Sequence, residues 1–126
     1  MERRLISSGS PYERTMGYSR AVRIGEDVFV AGTAPIVPDG DPPEGAYAQT
    51  KLCFEIISRA LEEAGAGLEH VVRTRVYLTR AEDFEEMARA HGELFAEIRP
   101  VNTTVVIKGL LDPRWLMEIE VQAVVT

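Results

Sequence analysis

The sequence is poor in most of the features that announce a specialised chemistry. It has a single cysteine, Cys53, so no internal disulfide can form. Cys53 lies among apolar residues of an expected helix, where a thiol reads as a small buried hydrophobe rather than a nucleophile. Histidine occurs only at His70 and His91, and the two do not have the spacing of a metal site. His91 falls on an apolar helical stripe with no serine or cysteine motif beside it, and reads as a packed, hydrogen-bonded core residue. His70 opens a strand and is expected to be exposed. No glycine-rich phosphate loop precedes a helix. The expectation from these residues is a protein with no metal site and no phosphate-binding loop.

Positive charge is also scarce. Fourteen lysines and arginines stand against 20 aspartates and glutamates, a net charge of -6, and the basic residues are scattered rather than gathered in a stripe. Such a chain repels a phosphate backbone, so nucleic acid is not an expected partner. No stretch approaches the ~20 apolar residues of a membrane span. The two arginines near the N-terminus are not followed by the apolar run of a secretory signal, which predicts a cytoplasmic location and no membrane association. What is present is an ordinary globular balance, 45% hydrophobic and 27% charged over 126 residues, enough for one domain, 1–126, with a real core.

Periodicity gives the elements. Arg4 to Ser7 reads as a short strand, followed by a loop at Gly9, Ser10 and Pro11. Tyr18 to Ile24 and Val28 to Thr33 read as a hairpin about Gly25 and Glu26. The segment Pro35 to Gly45 holds four prolines and two glycines and predicts a surface loop. From Ala46, residues Cys53, Ile56, Ile57, Ala60, Leu61 and Ala64 recur at helical spacing, which predicts an amphipathic helix ending near Gly65. Val71 to Thr79 predicts a strand with Val72, Thr74, Val76 and Leu78 on one face and Arg73, Arg75 and Tyr77 on the other. A second helix is expected from about Ala81 to Ile98, its apolar stripe being Phe84, Met87, His91, Leu94, Phe95 and Ile98, stopped by Pro100. Two more strands, Thr103 to Lys108 and Trp115 to Val125, complete a β, β, β, α, β, α, β, β order. Two strand-helix-strand crossovers between hairpin elements predict an α/β (α+β) mixed sheet with two helices on one face.

The uncovered face then matters. On the last strand Glu118, Glu120 and Gln122 alternate with Met117, Ile119, Val121 and Ala123. The polar set is either a solvated face or the lining of an oligomer in which sheets enclose a polar interior. Spacing alone leaves both open.

Three segments, FVAGTAPI (Phe29 to Ile36), VVRTRVYLT (Val71 to Thr79) and LMEIEVQAV (Leu116 to Val124), resemble in order and spacing the reactive intermediate deaminase family, also called the YjgF or L-PSP family. The resemblance covers nearly the whole chain. It implies a chorismate-mutase-like fold, a homotrimer with a central β-barrel, and ligand clefts between subunits that bind a small-molecule metabolite. Well-studied members hydrolyse reactive enamines and imines, such as 2-aminoacrylate, without a cofactor.

Carried over residue by residue, the resemblance gives Glu118 the catalytic place, where a carboxylate can orient or deprotonate a water. Tyr18 matches a pocket tyrosine, and Gly32 and Thr33 match a ligand-wall turn, Thr33 replacing the usual glutamine. The family's carboxylate-binding arginine falls at Asn102, beside Thr103, so the bidentate guanidinium is missing there. Arg75 is a candidate replacement, the alternative being a salt bridge to Glu120. The expected function is hydrolysis of an imine, enamine or related small electrophile other than the standard 2-imino acids. A non-catalytic metabolite-binding trimer is the alternative, and an endoribonuclease a third reading, which the charge and the lack of a histidine pair disfavour.

Overall fold

The two long helices form where apolar side chains recur three and four residues apart, and that stripe is what each helix buries. In the computed structural model, which describes residues 2–126, the elements are β1 (Arg3–Ile6), α1 (Pro11–Met16), β2 (Ala21–Ile24), β3 (Asp27–Thr33), α2 (Ala46–Glu63), β4 (Val71–Leu78), α3 (Phe84–Phe95), β5 (Val101–Val106) and β6 (Met117–Val124). Helix α2 buries Cys53, Phe54, Ile57, Ala60 and Leu61 against the sheet, each large side chain contributing about 1.5–3 kcal/mol by leaving water. It ends at Ala64, followed by Gly65 at φ 80°, the left-handed geometry that glycine adopts without strain.

The six strands form one mixed sheet in the order β1-β2-β3-β6-β4-β5. All neighbours are antiparallel except β4 and β5, which run parallel across the α3 crossover. β6 inserts between β3 and β4, so the last strand of the chain sits near the middle of the sheet. Its Met117, Ile119, Val121 and Ala123 are buried under the helices while Glu118, Glu120 and Gln122 line the other face.

Several expectations change. Pro11 opens the short helix α1 instead of belonging to a loop: Ser10 caps it by accepting from Tyr12 N–H, and Gly17 ends it at φ 80°. β2 therefore starts at Ala21, leaving Tyr18 in the turn before it, with its N–H donated to Glu13 O. On β4 the register shifts between Val71 and Arg73. This bulge puts Val71 in the core and leaves Val72 42% exposed, because an extra residue on one strand resets the alternation. The expected second helix splits into a 3-10 turn, Ala81–Asp83, and α3, and Phe84 at the junction is 49% exposed rather than part of the buried stripe. His70 is half-buried, its Nδ1 accepting from Gly67 N–H.

The second half of the proline-rich loop is tied down at Asp41 and Pro43. Arg114 pairs with Asp41 at 2.6 Å, and the buried Gln49 amide donates to Pro43 O and Arg114 O while accepting from Leu116 N–H.

Candidate functional site

β3 pairs regularly with β6 up to Val30 and resumes at Thr33↔Ile119, with a bulge between. At such a bulge carbonyls lose their ladder partners and need other donors. Arg20, the residue before β2, supplies them. Its Nη2 donates to Ala31 O at 2.6 Å, Gly32 O at 2.9 Å and Thr33 Oγ1 at 2.7 Å, and Thr33 Oγ1 in turn donates to Ala31 O at 2.9 Å. Thr33 is buried, its hydroxyl committed to this knot.

Glu118 lies against Gly32 as well. A Cβ on Gly32 would stand 2.9 Å from Glu118 Cδ and Oε2, so only glycine lets the carboxyl settle onto the β3 backbone. Burial pushes the Glu118 carboxyl up from its ordinary value, with Arg20 pulling it down and Glu120 adding to the rise. Burial likewise lowers Arg20, while Tyr18 and Glu118 act in the opposite direction. Arg20, Gly32, Thr33 and Glu118 thus gather at the β3 bulge, and Tyr18 lies in the turn just before Arg20.

The remaining candidates lie elsewhere. Arg75 pairs in register with Glu120 on one side and Thr103 on the other, so these three share the open face. Arg75 Nη1 stands 3.5 Å from Glu120 Oε1, which also accepts from Tyr77 Oη at 2.5 Å. That hydrogen bond, the largest cause, raises the Tyr77 phenol.

Asn102 is on the opposite side of the sheet. It pairs with Thr74, whose side chain is buried beneath α3, and its Nδ2 donates to Thr74 Oγ1 at 3.0 Å. Thr74 Oγ1 is 2.8 Å from His91 Nε2, and Thr104 Oγ1 donates to Asn102 Oδ1 at 2.9 Å. Thr74 Oγ1 accepts from Asn102 and keeps one hydrogen and one lone pair, so it pairs with Nε2 in either ring tautomer. His91 also packs edge-on against Phe54, with ring centroids 5.7 Å apart, and beside Phe95 at 4.7 Å. His91 is packed and hydrogen-bonded as expected, but half-buried at the margin of the core rather than within it. Within one chain, then, Asn102 and Glu118 do not meet: they face opposite sides of the sheet, on strands separated by β4.

Arg20 is the residue that spacing missed. It reads as one polar position in an alternating strand, and nothing local signals that a bulge eleven residues later will turn carbonyls toward it. Among the described residues, no three His, Cys, Asp or Glu side chains stand together as a metal site would require.

Comparison with known proteins gives a consistent result. The family described as Endoribonuclease L-PSP matches residues 10–125. An uncharacterised protein of Streptomyces coelicolor is 44% identical over 125 residues, 95% of this chain and 90% of its own length. A RutC family protein of Pyrococcus abyssi is 41% identical over 95 residues, 74% of this chain and 75% of its own. The crystal structure of Rv2704 from Mycobacterium tuberculosis, a member of the YjgF/YER057c/UK114 family, superposes with a TM-score of 0.89 at 44% identity, covering 98% of this chain and all of that one. In sequence, over nearly its whole length, and in fold, this chain belongs to the Endoribonuclease L-PSP family, the YjgF/YER057c/UK114 group.

Proposed function

We propose that this chain comes from a subgroup of the family without an arginine at the Asn102 position, and that it hydrolyses an imine, enamine or related small electrophile in clefts between the subunits of a homotrimer. The observation that carries the reading is the Glu118 carboxyl, half-buried, resting on the bare α-carbon of Gly32 and pushed up by burial. A carboxylate that is costly to keep ionised is a better base than one in water, and it accepts a proton more readily as a water attacks.

In the proposed reaction the ionised Glu118 takes one proton from a water while the water oxygen bonds to the carbon of a protonated imine, C=NH2+, giving a neutral amino alcohol. The protonated Glu118 then returns that proton to nitrogen, and as the C–N bond breaks the hydroxyl proton passes back to Glu118 and on to solvent, so a carbonyl compound and ammonia leave. An enamine enters the same course after gaining a proton on carbon. The separation of Asn102 from Glu118 within one chain supports a cleft completed by a second copy.

A second reading, a trimer that binds a metabolite without turnover, is favoured by the Asn102 amide, which is already engaged by Thr74 and Thr104. An endoribonuclease is disfavoured, since His91 is held by Thr74 and His70 by Gly67, leaving no histidine pair for acid-base work.

The test is ammonia release from freshly generated 2-aminoacrylate or 2-iminobutyrate. These are the family's standard 2-imino acids, which the missing arginine argues against, so hydrolysis above the buffer rate would mean that another cation anchors the carboxylate, and Glu118→Gln is then expected to lower kcat/KM by about a hundredfold or more. Ligand-induced thermal stabilisation with no turnover would move the protein to the binding reading.

A further inference from the structure

Asn102 stands where the family resemblance puts an arginine, and its surroundings fix which end of its amide looks outward. Nδ2 lies 3.0 Å from Thr74 Oγ1 and 3.5 Å from Thr74 O. Turning the amide over would set Oδ1 against a backbone carbonyl, oxygen facing oxygen, and it is by their partners that the two ends of an amide are told apart. On the other side Oδ1 accepts from Thr104 Oγ1 at 2.9 Å.

Thr74 extends the chain one residue deeper. It is fully buried, and its Oγ1 has two hydrogen-bond partners, Asn102 Nδ2 and His91 Nε2. With the amide in this orientation Asn102 donates. Were Nε2 to carry the ring proton, both partners would donate, and the Thr74 hydrogen would have no acceptor in a place closed to water, which costs as much as a lost hydrogen bond. With Nε2 bare, the Thr74 hydroxyl donates to it and every group is paired. The ring proton then sits on Nδ1, which is not sealed: among the described residues, Arg20 Nε is the one buried side-chain nitrogen or oxygen without a partner. Phe54 and Phe95 hold the ring in that pose. The mirror arrangement, with the amide turned over and Nε2 donating, is opposed by the Thr74 carbonyl.

The outward side of this chain is made of acceptors. Asn102 Oδ1 keeps a second lone pair, and Thr104 Oγ1 keeps both of its own once its hydrogen is given to Asn102. Asn102 is exposed and Thr104 half-buried, so these lone pairs are open to a ligand, whereas Nδ2 is turned inward to Thr74. An arginine offers donors only. The asparagine held in this way offers the reverse.

We propose that Asn102 is a specificity-determining hydrogen-bond acceptor, its amide held carbonyl-outward by Thr74 and, behind Thr74, by the bare Nε2 of His91, so that position 102 takes its ligand by an N–H donor, as a carboxamide carries, and not by a carboxylate. Thr74 and His91 are positioning residues, since neither touches the ligand. This rests on the reading that position 102 lines the cleft in which Glu118 acts.

The hydrogen-bond chain is tested without a ligand, by NMR of the His91 ring nitrogens at neutral pH. The wild type is expected to show the Nδ1–H tautomer with Nε2 bare. In Asn102→Asp the new carboxylate can only accept, so the Thr74 hydrogen turns to it, Nε2 must donate, and the ring is expected to carry a proton on Nε2. In the double variant Asn102→Asp with Thr74→Val the link is cut and that change is lost. A purely structural role for His91 leaves its tautomer indifferent to residue 102. An Nε2–H tautomer in the wild type, or a ring that ignores Asn102→Asp, overturns the proposal; should the double variant fail to fold, the first two spectra decide alone.

The ligand side is tested by calorimetric titration with pyruvamide, which carries N–H donors, and pyruvate, which has only acceptors in their place. The wild type is expected to bind pyruvamide about tenfold or more tighter, the scale of one net hydrogen bond, and Asn102→Leu to lose the difference. Equal binding, a preference for pyruvate, a preference that survives Asn102→Leu, or no binding of pyruvamide overturns the proposal. An Asn102-dependent preference for pyruvamide without imine hydrolysis leaves the acceptor standing and removes the hydrolytic reading. Hydrolysis of 2-iminobutyrate that depends on Glu118, together with a preference for pyruvate, does the reverse.

Discussion

Glu118 is positioned partly by what Gly32 lacks. Since a Cβ at Gly32 would come within 2.9 Å of the far end of a flexible side chain, Gly32→Ala is expected to displace the carboxyl rather than break the strand. The prediction is a stability change within about 1 kcal/mol and a kcat/KM lowered roughly a hundredfold, the scale of a misplaced catalytic group; equal losses of stability and activity would refute it. A second prediction concerns charge. The folded-state pKa of Glu118 is raised above the ordinary 4.5, so the ionised carboxylate is held less well by the fold than by the unfolded chain. That penalty is absent below 4.5 and grows as pH rises through the folded value. Glu118→Gln should therefore raise the unfolding midpoint at neutral pH, and the gain should vanish toward acid. Glu118 and Gly32 were legible because they lie in recognisable segments. Arg20 was not, because its role depends on which carbonyls a remote bulge leaves open.

At the level of elements, the strong periods were readable: α2, most of α3, and the alternation of β6 all follow their apolar residues. What the period could not show is where it breaks. The bulges at Val30–Thr33 and Val71–Arg73 come from long-range pairing, as does the insertion of β6 between β3 and β4. Helix α1 is six residues long, too short to display a period. Helix α3 carries its own testable consequence through His91, which is packed by Phe54 and Phe95, bonded to Thr74, and lowered by burial from 6.5. A base with a depressed folded pKa contributes stability that is present above 6.5 and lost as pH falls through the folded value. Denaturant midpoints should thus decline on acidification below 6.5. His91→Gln should cost about 1–3 kcal/mol at neutral pH and flatten that decline; an unchanged slope would show that other groups set it.

For the whole molecule, the question is what covers the far edge of the sheet. β5 ends the strand order, and Val101 and Val106 on it are 61% and 56% exposed. An exposed edge strand of this kind, with unpaired backbone groups and three exposed valines, invites pairing with another chain. The proposed trimer would cover it and bring Asn102 of one copy toward Glu118 of the next, two groups that a single chain holds on opposite faces of its sheet. Complementation tests this directly. Suppose Glu118→Gln and Asn102→Lys each abolish hydrolysis, and the two variants are unfolded together, mixed equally and refolded. In a closed ring each site takes Glu118 from one copy and position 102 from its neighbour. Roughly one site in four then draws both native residues from different chains, so activity should return to about a quarter of the wild-type level. Sedimentation should at the same time give a mass of three 14.0 kDa chains. If each cleft were made within one chain, mixing would restore nothing, because every chain carries a defect, and recovery separates the two arrangements without knowledge of the natural substrate.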